Sequence, residues 1–174
     1  ARKQLGLPLD RKIFIFTVSF VERKGPLRVA EALRILGPEY GGVFLGRGKQ
    51  QPTGDQVLFS GSVPNETVPL WLNAADLFVL PTLREGHCNA INEALACGLP
   101  VVSSDIDDVR GQVDPSVGML VNPIDTTGIA EAIAVLCADE PRITAMAEAA
   151  YRGAHDPERT GRADVILGFV NSLV

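Results

Sequence analysis

The chain of 174 residues contains few cysteines and no excess of positive charge. Its three cysteines, Cys88, Cys97 and Cys137, are odd in number and are not at metal-ligand spacing, which indicates reduced thiols in a reducing compartment. A net charge of -5 argues against a large nucleic-acid-binding surface, which would need a basic excess. We therefore expect no bound metal and no nucleic-acid partner.

Long hydrophobic runs and the common phosphate-binding fingerprints are also missing. No apolar stretch reaches the roughly 18 residues of a membrane span, and residues 1–8 do not resemble a signal peptide. The first predicted strand is not followed by Gly-x-Gly-x-x-Gly, which argues against an ordinary NAD-dependent dehydrogenase, and there is no P-loop. The segment Gly46-Arg47-Gly48 is only a weak glycine loop.

Apolar runs of strand length alternate with segments of helical spacing, which predicts βαβ units. Predicted strands cover 12–20, 43–45, 57–59, 76–80, 101–102 and 119–121. Predicted helices follow at about 27–36, 65–74, 89–97, 126–137, from Pro141 onward, and at about 158–174, with Asn65, Asn89 and Thr126 as N-caps and 153–164 as a polar linker. The fold class is therefore α/β, with a Rossmann-like three-layer parallel sheet and helices on both faces.

The length and composition fit one domain over residues 1–174, with 46% hydrophobic and 21% charged residues. Residues 1–6 have the pattern of the last turn of a helix that ends at Gly6. A chain that opens on the last turn of a helix is expected to be part of a longer protein.

Two glutamates, Glu85 and Glu93, surround a predicted helix start that lies between two apolar strands. A strand, a glycine-bearing turn and a helix N-terminus form a natural phosphate site. Glu93 has two readings: an acid favoured by the helix dipole, or an acceptor for two adjacent hydroxyls such as a ribose diol. Glu85 is either a solvated loop acid or a partner of sugar hydroxyls. Phosphate and hydroxyls together indicate a nucleotide or a nucleotide sugar.

Three further side chains could contribute to the same edge of the sheet. Lys24 is either a surface lysine or a cation that offsets diphosphate charge. His87 is either a packed or solvated histidine or an acid–base group. Cys88 could have a lowered pKa at a helix N-terminus, but it lacks the partners that a nucleophilic cysteine needs.

In this order and at this spacing, the segments of the chain resemble the C-terminal, donor-binding domain of retaining glycosyltransferases of the GT-B fold, group 1 (family 4) type. The central feature is Glu-x7-Glu from Glu85 to Glu93, which continues as Glu-Ala-Leu-Ala-Cys-Gly-Leu-Pro-Val-Val. The other matching segments are 23–25, 44–46, 59–63, 74–81 and 118–123.

The resemblance implies a role for each matched residue. Lys24 would contact the donor diphosphate, and Glu85 would bind the hydroxyls of the transferred sugar, so that these two residues form the catalytic pair. Glu93 would hold the ribose hydroxyls. The remaining donor-binding positions are Ser19, Gly61, Val63, Gly86, His87, Cys88 and Asn89, of which 61–63 would lie against the base and 86–89 would offer backbone N–H groups. No metal or other cofactor is expected besides a UDP- or GDP-sugar substrate.

Two positions depart from the family pattern. Ser19 stands where the family often has a phosphate-binding arginine. Asp107-Asp-Val-Arg-Gly111 replaces a Gly-Gly-x-x-Glu loop. Both changes are expected to weaken diphosphate binding.

Three functions follow from these residues. The first is the donor half of a nucleotide-sugar-dependent transferase that retains anomeric configuration and needs an N-terminal acceptor domain, absent from this chain, for turnover. The second is a non-catalytic nucleotide-binding or interaction module on the same fold. The third, a glycosidase that uses Glu85 and Glu93, is disfavoured because both acids belong to one turn-and-helix unit. The expected location is the cytoplasm, at the inner face of the membrane if the acceptor half contacts lipid.

Overall fold

The computed structural model describes residues 1–156, and the predicted helix at about 158–174 lies outside the described residues. The strands are β1 Lys12–Thr17, β2 Tyr40–Leu45, β3 Val57–Gly61, β4 Leu77–Leu80, β5 Val101–Ser104 and β6 Gly118–Val121. The α-helices are α1 Arg2–Leu5, α2 Pro26–Leu36, α3 Val68–Leu72, α4 Asn89–Ala96, α5 Asp107–Arg110, α6 Thr126–Ala138 and α7 Glu140–Ala154. Two 3-10 turns cover Glu22–Lys24 and Asn65–Thr67.

Within residues 1–156 the strands form one parallel sheet with the order β3-β2-β1-β4-β5-β6. The chain moves outward from β1 in one direction and from β4 in the other. Because parallel crossovers are right-handed, α2 and α4 lie on opposite faces of the sheet. On its own face α2 packs against α6, and α4 packs against α7. The predicted Rossmann-like α/β architecture is confirmed.

The inner strands are apolar along their whole length because helices cover both of their faces. The four central residues of β1, Ile13 to Phe16, are buried, and so is every residue of β4. The aromatic rings of Phe16 and Phe44 lie 5.9 Å apart on neighbouring strands. This continuous apolar core explains why the runs without polar alternation predicted strands correctly.

The first strand is shorter than predicted, because the chain leaves the sheet after Thr17. The predicted segment continued to Phe20, which is fully buried but belongs to a loop. Its ring lies 6.1 Å from that of Phe16, and its backbone N–H donates to the carbonyl of Arg47 at 2.9 Å. A buried residue that anchors a loop and a buried residue in a strand are both apolar, so the sequence pattern does not distinguish them.

The predicted helix from Asn65 is split into a 3-10 turn and the short helix α3. Pro69 has no N–H to donate to the carbonyl of Asn65, so a regular α-helix cannot run through this segment. Pro64, rather than Asn65, precedes the turn as its cap residue.

The predicted N-caps of α4 and α6 were each placed one residue too late. Asn89 is the first helical residue of α4, and Cys88 is the cap residue. Thr126 is the first residue of α6, and the Asp125 side chain accepts the N–H of Gly128 at 3.0 Å.

Toward the C-terminal end of the described residues, α7 extends through Ala154, so helix covers the first residues of the predicted polar linker. The predicted helix end at Gly6 is confirmed, since Gly6 has a left-handed φ of 67°.

Gly46 brings the loop after β2 into backbone contact with the loop after β1. A Cβ atom at this position would lie 2.2 Å from the carbonyl oxygen of Val18. The weak glycine loop is thus explained by close backbone approach, which holds together two loops at the carboxyl edge of the sheet.

Replacing Gly46 with alanine should therefore destabilise the domain by about 1–3 kcal/mol, as overpacking does. Urea denaturation measures the effect. Gly111→Ala is the matched control, because a Cβ there meets no atom within 4 Å, and it should stay within about 0.5 kcal/mol of the parent chain. Equal stability of the two variants would contradict the close-approach explanation.

Candidate functional site

The candidate site lies where the order of the sheet reverses, between β1 and β4. The loops after these two strands, 18–25 and 81–88, leave the same edge in neighbouring positions. In open α/β sheets the crevice outside the carboxyl ends of the strands at this point is the usual ligand site.

Lys24 and Glu85 meet across this crevice as an ion pair. The Lys24 ammonium donates to Glu85 Oε1, and the guanidinium of Arg23 lies 3.7 Å from the same oxygen. The hydroxyl of Thr82 is 2.8 Å from Glu85 Oε1. Only 7% of the Glu85 side chain and 12% of the Lys24 side chain are exposed. Glu85 is therefore not the solvated loop acid of the alternative reading, and the structure brings the two predicted catalytic residues into direct contact.

The pair leaves hydrogen-bonding capacity for a ligand. An ammonium carries three N–H donors, and Glu85 uses one of those of Lys24. The second oxygen of Glu85, Oε2, makes no hydrogen bond within residues 1–156. One cation and one acceptor oxygen thus remain side by side in a largely buried setting, where electrostatic interactions are stronger than in water.

Several contacts that sequence reasoning did not identify hold the two loops together. The backbone N–H of Leu83 donates to the carbonyl of Arg23 at 2.8 Å. The Arg23 side chain donates to the carbonyl of Arg84 at 2.5 Å. From α2, Arg28 donates to the carbonyl of Pro81 at 2.8 Å and to that of Glu22 at 3.2 Å. Burial lowers the pKa of Arg28. The relative position of the two loops is therefore fixed before a ligand binds.

The start of α4 presents backbone donors beside the pair. The N–H groups of Gly86, His87 and Asn89 have no acceptor among the described residues 1–156. The cap residue Cys88 makes no side-chain capping bond. Unpaired N–H groups and the helix dipole favour an anion at this position.

Cys88 does not have the lowered thiol pKa that the helix N-terminus suggested. Its side chain is buried, and burial raises the pKa of the thiol above its usual value. Burial also raises the pKa of Cys97 to about 11 and that of Cys137 to about 12. At Cys88 desolvation outweighs the backbone N–H groups of Ile91 and Ala90, which favour the thiolate, and none of the three thiols is poised as a nucleophile.

The thiols of the folded chain should consequently react slowly with iodoacetamide at about pH 8. A rise from 9.0 to about 11 lowers the thiolate fraction of Cys97 about a hundredfold, before restricted access is counted. Mass spectrometry of the alkylated chain, with the urea-unfolded chain as the reference, measures each cysteine separately. A Cys88 that reacts as fast in the folded chain as in the unfolded one would contradict this account.

Glu93 lies in α4, one turn beyond the free N–H groups, and its side chain is half-buried. Burial raises the pKa of its carboxyl group above the usual range. Within residues 1–156 the carboxylate has no hydrogen-bond or ion-pair partner. The structure thus shows a desolvated acceptor without a donor, which a diol from a ligand would satisfy.

Ser19, Gly61 and Val63 share the same edge, but within residues 1–156 they make no hydrogen bond with Lys24 or with the side chain of Glu85. Ser19 is exposed in the loop after β1. Gly61 ends β3 and accepts the N–H of Gly46 at 2.8 Å, and Val63 follows as a half-buried residue. Because β2 and β1 separate β3 from β4, Gly61 and Val63 lie roughly 14 Å from the end of β4, at about 4.8 Å per strand, whereas Ser19 follows the neighbouring strand β1. A ligand that touched both regions would have to extend along the edge.

The segment after β5 supports the site from the other side. Asp108 accepts the backbone N–H of Glu85 at 3.1 Å. Gln112 is bonded to the backbone of Cys88 and to the side chain of Asn92. Sequence reasoning noted 107–111 only as a departure from a pattern, and the polar character of that segment was the signal that could have revealed these contacts.

The fold and the site together define a doubly wound α/β domain with a crevice at its topological switch point, lined by Lys24, Glu85 and the backbone N–H groups at the start of α4. Residues 1–153 match the family described as Glycosyl transferases group 1. The chain belongs to this family.

Similar proteins agree with this membership. A glycosyltransferase whose name places it in teichuronic acid biosynthesis, TuaC of Bacillus subtilis (strain 168), is 37% identical over 134 residues, which cover 76% of this chain and 34% of TuaC. Sucrose-phosphate synthase of Thermosynechococcus elongatus superposes with a TM-score of 0.82 at 25% identity, over 98% of this chain and 47% of that one. Anabaena HepE, solved with UDP-glucose, superposes with a TM-score of 0.81 at 21% identity, over 99% of this chain and 50% of that one.

The structural superpositions show that the fold is that of the GT-B glycosyltransferases, and a C-terminal part of such an enzyme fits the chain. The chain also spans only a third to a half of the length of these three proteins.

Metal-binding clusters and membrane-spanning helices are both absent from residues 1–156. No group of three or more His, Cys, Asp or Glu side chains within residues 1–156 is arranged to hold a metal ion. In the same part of the chain, no helix combines the length and the apolar character needed to cross a bilayer.

Proposed function

We propose that this chain is the donor-binding domain of a glycosyltransferase that moves a sugar from a nucleoside diphosphate sugar to an acceptor with retention of configuration. The observation that carries the proposal is the Lys24–Glu85 pair at the switch point, next to three N–H groups and to Glu93 of α4, which all lack a hydrogen-bond partner within residues 1–156. The UDP-glucose bound to HepE, which has the same fold, supports a nucleotide sugar as the ligand.

In this proposal the ligand extends along the carboxyl edge of the sheet. The diphosphate lies at the free N–H groups of 86, 87 and 89, with Lys24 beside it. Glu93 accepts hydrogen bonds from the ribose diol, and the base extends toward Gly61 and Val63. The roughly 14 Å between the ends of β3 and β4 matches an extended ligand rather than a single phosphate.

Departure of the nucleoside diphosphate is the step that the site would accelerate. Negative charge develops on the leaving phosphate, and Lys24 together with the N–H groups stabilises it without rearrangement. Glu85 is held by Lys24 and Thr82 through Oε1, so its free Oε2 is suited to gripping a sugar hydroxyl rather than to acting as a mobile acid–base group. In the transfer step the bond between C1 of the sugar and the diphosphate oxygen would break, and the acceptor hydroxyl oxygen would bond to C1 on the same face. The proton of that hydroxyl would pass to the departing diphosphate, and attack on the same face gives retention. The diphosphate charge is balanced by protein groups in this scheme, without a metal ion.

The acceptor contacts and the catalytic turnover of the whole protein would come from a preceding acceptor domain, so we expect the present chain to bind donor without transferring sugar. A thermal-shift panel tests the binding directly. UDP or GDP at millimolar concentration should raise the melting temperature, whereas the matching nucleoside should raise it much less, because it lacks the diphosphate. No shift with any nucleoside diphosphate would count against the proposal.

A non-catalytic nucleotide-binding module is the second candidate, and one observation favours it. Ser19 is exposed where a second phosphate cation would strengthen the site, so Lys24 carries that task with little help. Such a module would bind nucleoside diphosphates in the same panel. The longer protein would then neither transfer the sugar nor hydrolyse the donor, and activity in either assay would exclude this candidate.

A further inference from the structure

A chain of hydrogen bonds connects Gln112, Asn92 and His87 at the start of α4. The backbone N–H of Cys88 donates to Gln112 Oε1 at 3.1 Å, and Gln112 Nε2 donates to the Cys88 carbonyl oxygen at 3.1 Å. These two bonds of opposite direction fix the orientation of the Gln112 amide, because the flipped amide would place donor against donor and acceptor against acceptor. The same Nε2 also donates to Asn92 Oδ1 at 2.9 Å.

This orientation determines the tautomer of His87. Since Asn92 Oδ1 accepts from Gln112, the amide nitrogen of Asn92 faces His87 Nε2, at 2.8 Å. The amide nitrogen can only donate, so Nε2 must accept and carry no proton. The proton of the neutral ring is therefore on Nδ1. His87 is exposed and belongs to the same loop as Glu85, so its ring is accessible to a ligand bound at this loop.

We propose that Gln112 and Asn92 are positioning residues that fix the tautomer of the His87 imidazole with the proton on Nδ1, and that this N–H donates to an oxygen of the sugar nucleotide. The inference rests on the proposed function for the identity of the ligand, but the tautomer itself does not depend on it. The network adds a side-chain donor to the backbone donors of 86, 87 and 89. It also assigns a function to the polar segment after β5, which replaces the family's glycine-rich loop.

The tautomer is measured by nitrogen-15 NMR of the histidine rings at about pH 8, where imidazole is neutral. The chain has two histidines, and a His155→Gln variant identifies the signals of His87. The expected spectrum of His87 shows a protonated Nδ1 and an unprotonated Nε2. Asn92→Asp keeps the acceptor for Gln112 but turns an accepting oxygen toward Nε2, so the proton should move to Nε2. A protonated Nε2 in the parent chain, or an unchanged tautomer in Asn92→Asp, would overturn the positioning role.

The donor role is measured by calorimetric titration with UDP and with UDP-glucose. His87→Ala should weaken binding roughly 2- to 12-fold if the acceptor is a neutral sugar oxygen, and roughly 12- to 150-fold if it is a charged diphosphate oxygen. The amide nitrogen of asparagine is as many bonds from Cβ as Nδ1, and that of glutamine as many as Nε2. His87→Asn should therefore recover most of the affinity, whereas His87→Gln should not.

The two ligands locate the oxygen. Weaker binding of both UDP and UDP-glucose to His87→Ala places it on the diphosphate, and a loss confined to UDP-glucose places it on the sugar. Unchanged affinity for both ligands, or equal rescue by asparagine and glutamine, would overturn the donor role of His87. A parent chain that binds neither ligand would instead contradict the proposed function. The NMR experiment would still test the tautomer, because it needs no ligand.

Discussion

Glu93→Ala is expected to weaken nucleoside diphosphate binding by about 1–3 kcal/mol, which is about 5- to 150-fold in Kd. The carboxylate is half-buried and has no partner within residues 1–156, so the ribose diol would provide its hydrogen bonds. In the variant, the two ribose hydroxyls would enter a partly desolvated site without a hydrogen-bond acceptor. Glu131→Ala on the exposed face of α6 removes the same charge away from the site and should leave Kd unchanged.

The same carboxylate should make affinity and stability depend on pH. Because burial raises the pKa of Glu93, binding should weaken as pH falls through that raised value, earlier than for an ordinary glutamate. The folding stability of the unliganded chain depends on pH in the opposite direction. A carboxyl group with a raised pKa in the folded state favours folding below its unfolded pKa, and this contribution is lost as pH rises through the folded value.

Glu93→Gln should therefore raise the melting temperature of the unliganded chain near pH 7 while it weakens nucleotide binding. The difference in melting temperature should vanish below about pH 4, where both states of the wild-type glutamate are protonated. Lower stability of Glu93→Gln near pH 7 would mean that the carboxylate has a stabilising partner, and would contradict its assignment to the ligand.

Lys24→Met is expected to destabilise the domain by about 3 kcal/mol, the lower end of the range for breaking one side of a buried ion pair. The Glu85 carboxylate would remain buried, with the Thr82 hydroxyl at 2.8 Å and Arg23 at 3.7 Å as its remaining support. Nucleotide binding should weaken as well, because the cation is lost from the diphosphate position. Lys3→Met, at an exposed position of α1, is the control for loss of a lysine.

A double-mutant cycle separates the pair from its surroundings. Glu85→Gln alone leaves the Lys24 ammonium largely buried without its carboxylate, and should also destabilise. The double variant Lys24→Met, Glu85→Gln should recover much of the loss in urea denaturation, because no uncompensated charge remains. Additive single effects, or a Lys24→Met variant within about 0.5 kcal/mol of the parent, would show that the two side chains are not energetically coupled.

The sequence predicted the sheet well because the physical signal of its strands is strong. Runs such as Ile13–Phe16 are apolar on both faces, and only a covered parallel sheet needs that pattern. The short helix α3 was predicted less well because Pro69 interrupts a segment with helical composition. Phe20 extended the predicted first strand because burial alone does not distinguish a strand from an anchored loop.

The site was predicted residue by residue but not in its connections. Lys24 and Glu85 were placed at the same edge and assigned to different parts of a ligand, whereas the structure joins them across 61 positions of sequence. That contact depends on how β1 and β4 pair, which composition does not reveal. The supporting bonds from Asp108 and Gln112 were not foreseen for the same reason, since they join segments more than 20 positions apart.

A calorimetric titration of UDP and GDP into this chain and into its Glu93→Ala variant tests the central claim most directly. We expect binding of at least one of the two nucleotides with a stoichiometry of about one, and a Kd about 5- to 150-fold higher for the variant. The absence of heat with every nucleoside diphosphate, or equal affinity of the variant and the parent chain, would contradict a donor site formed by Lys24, Glu85, the start of α4 and Glu93.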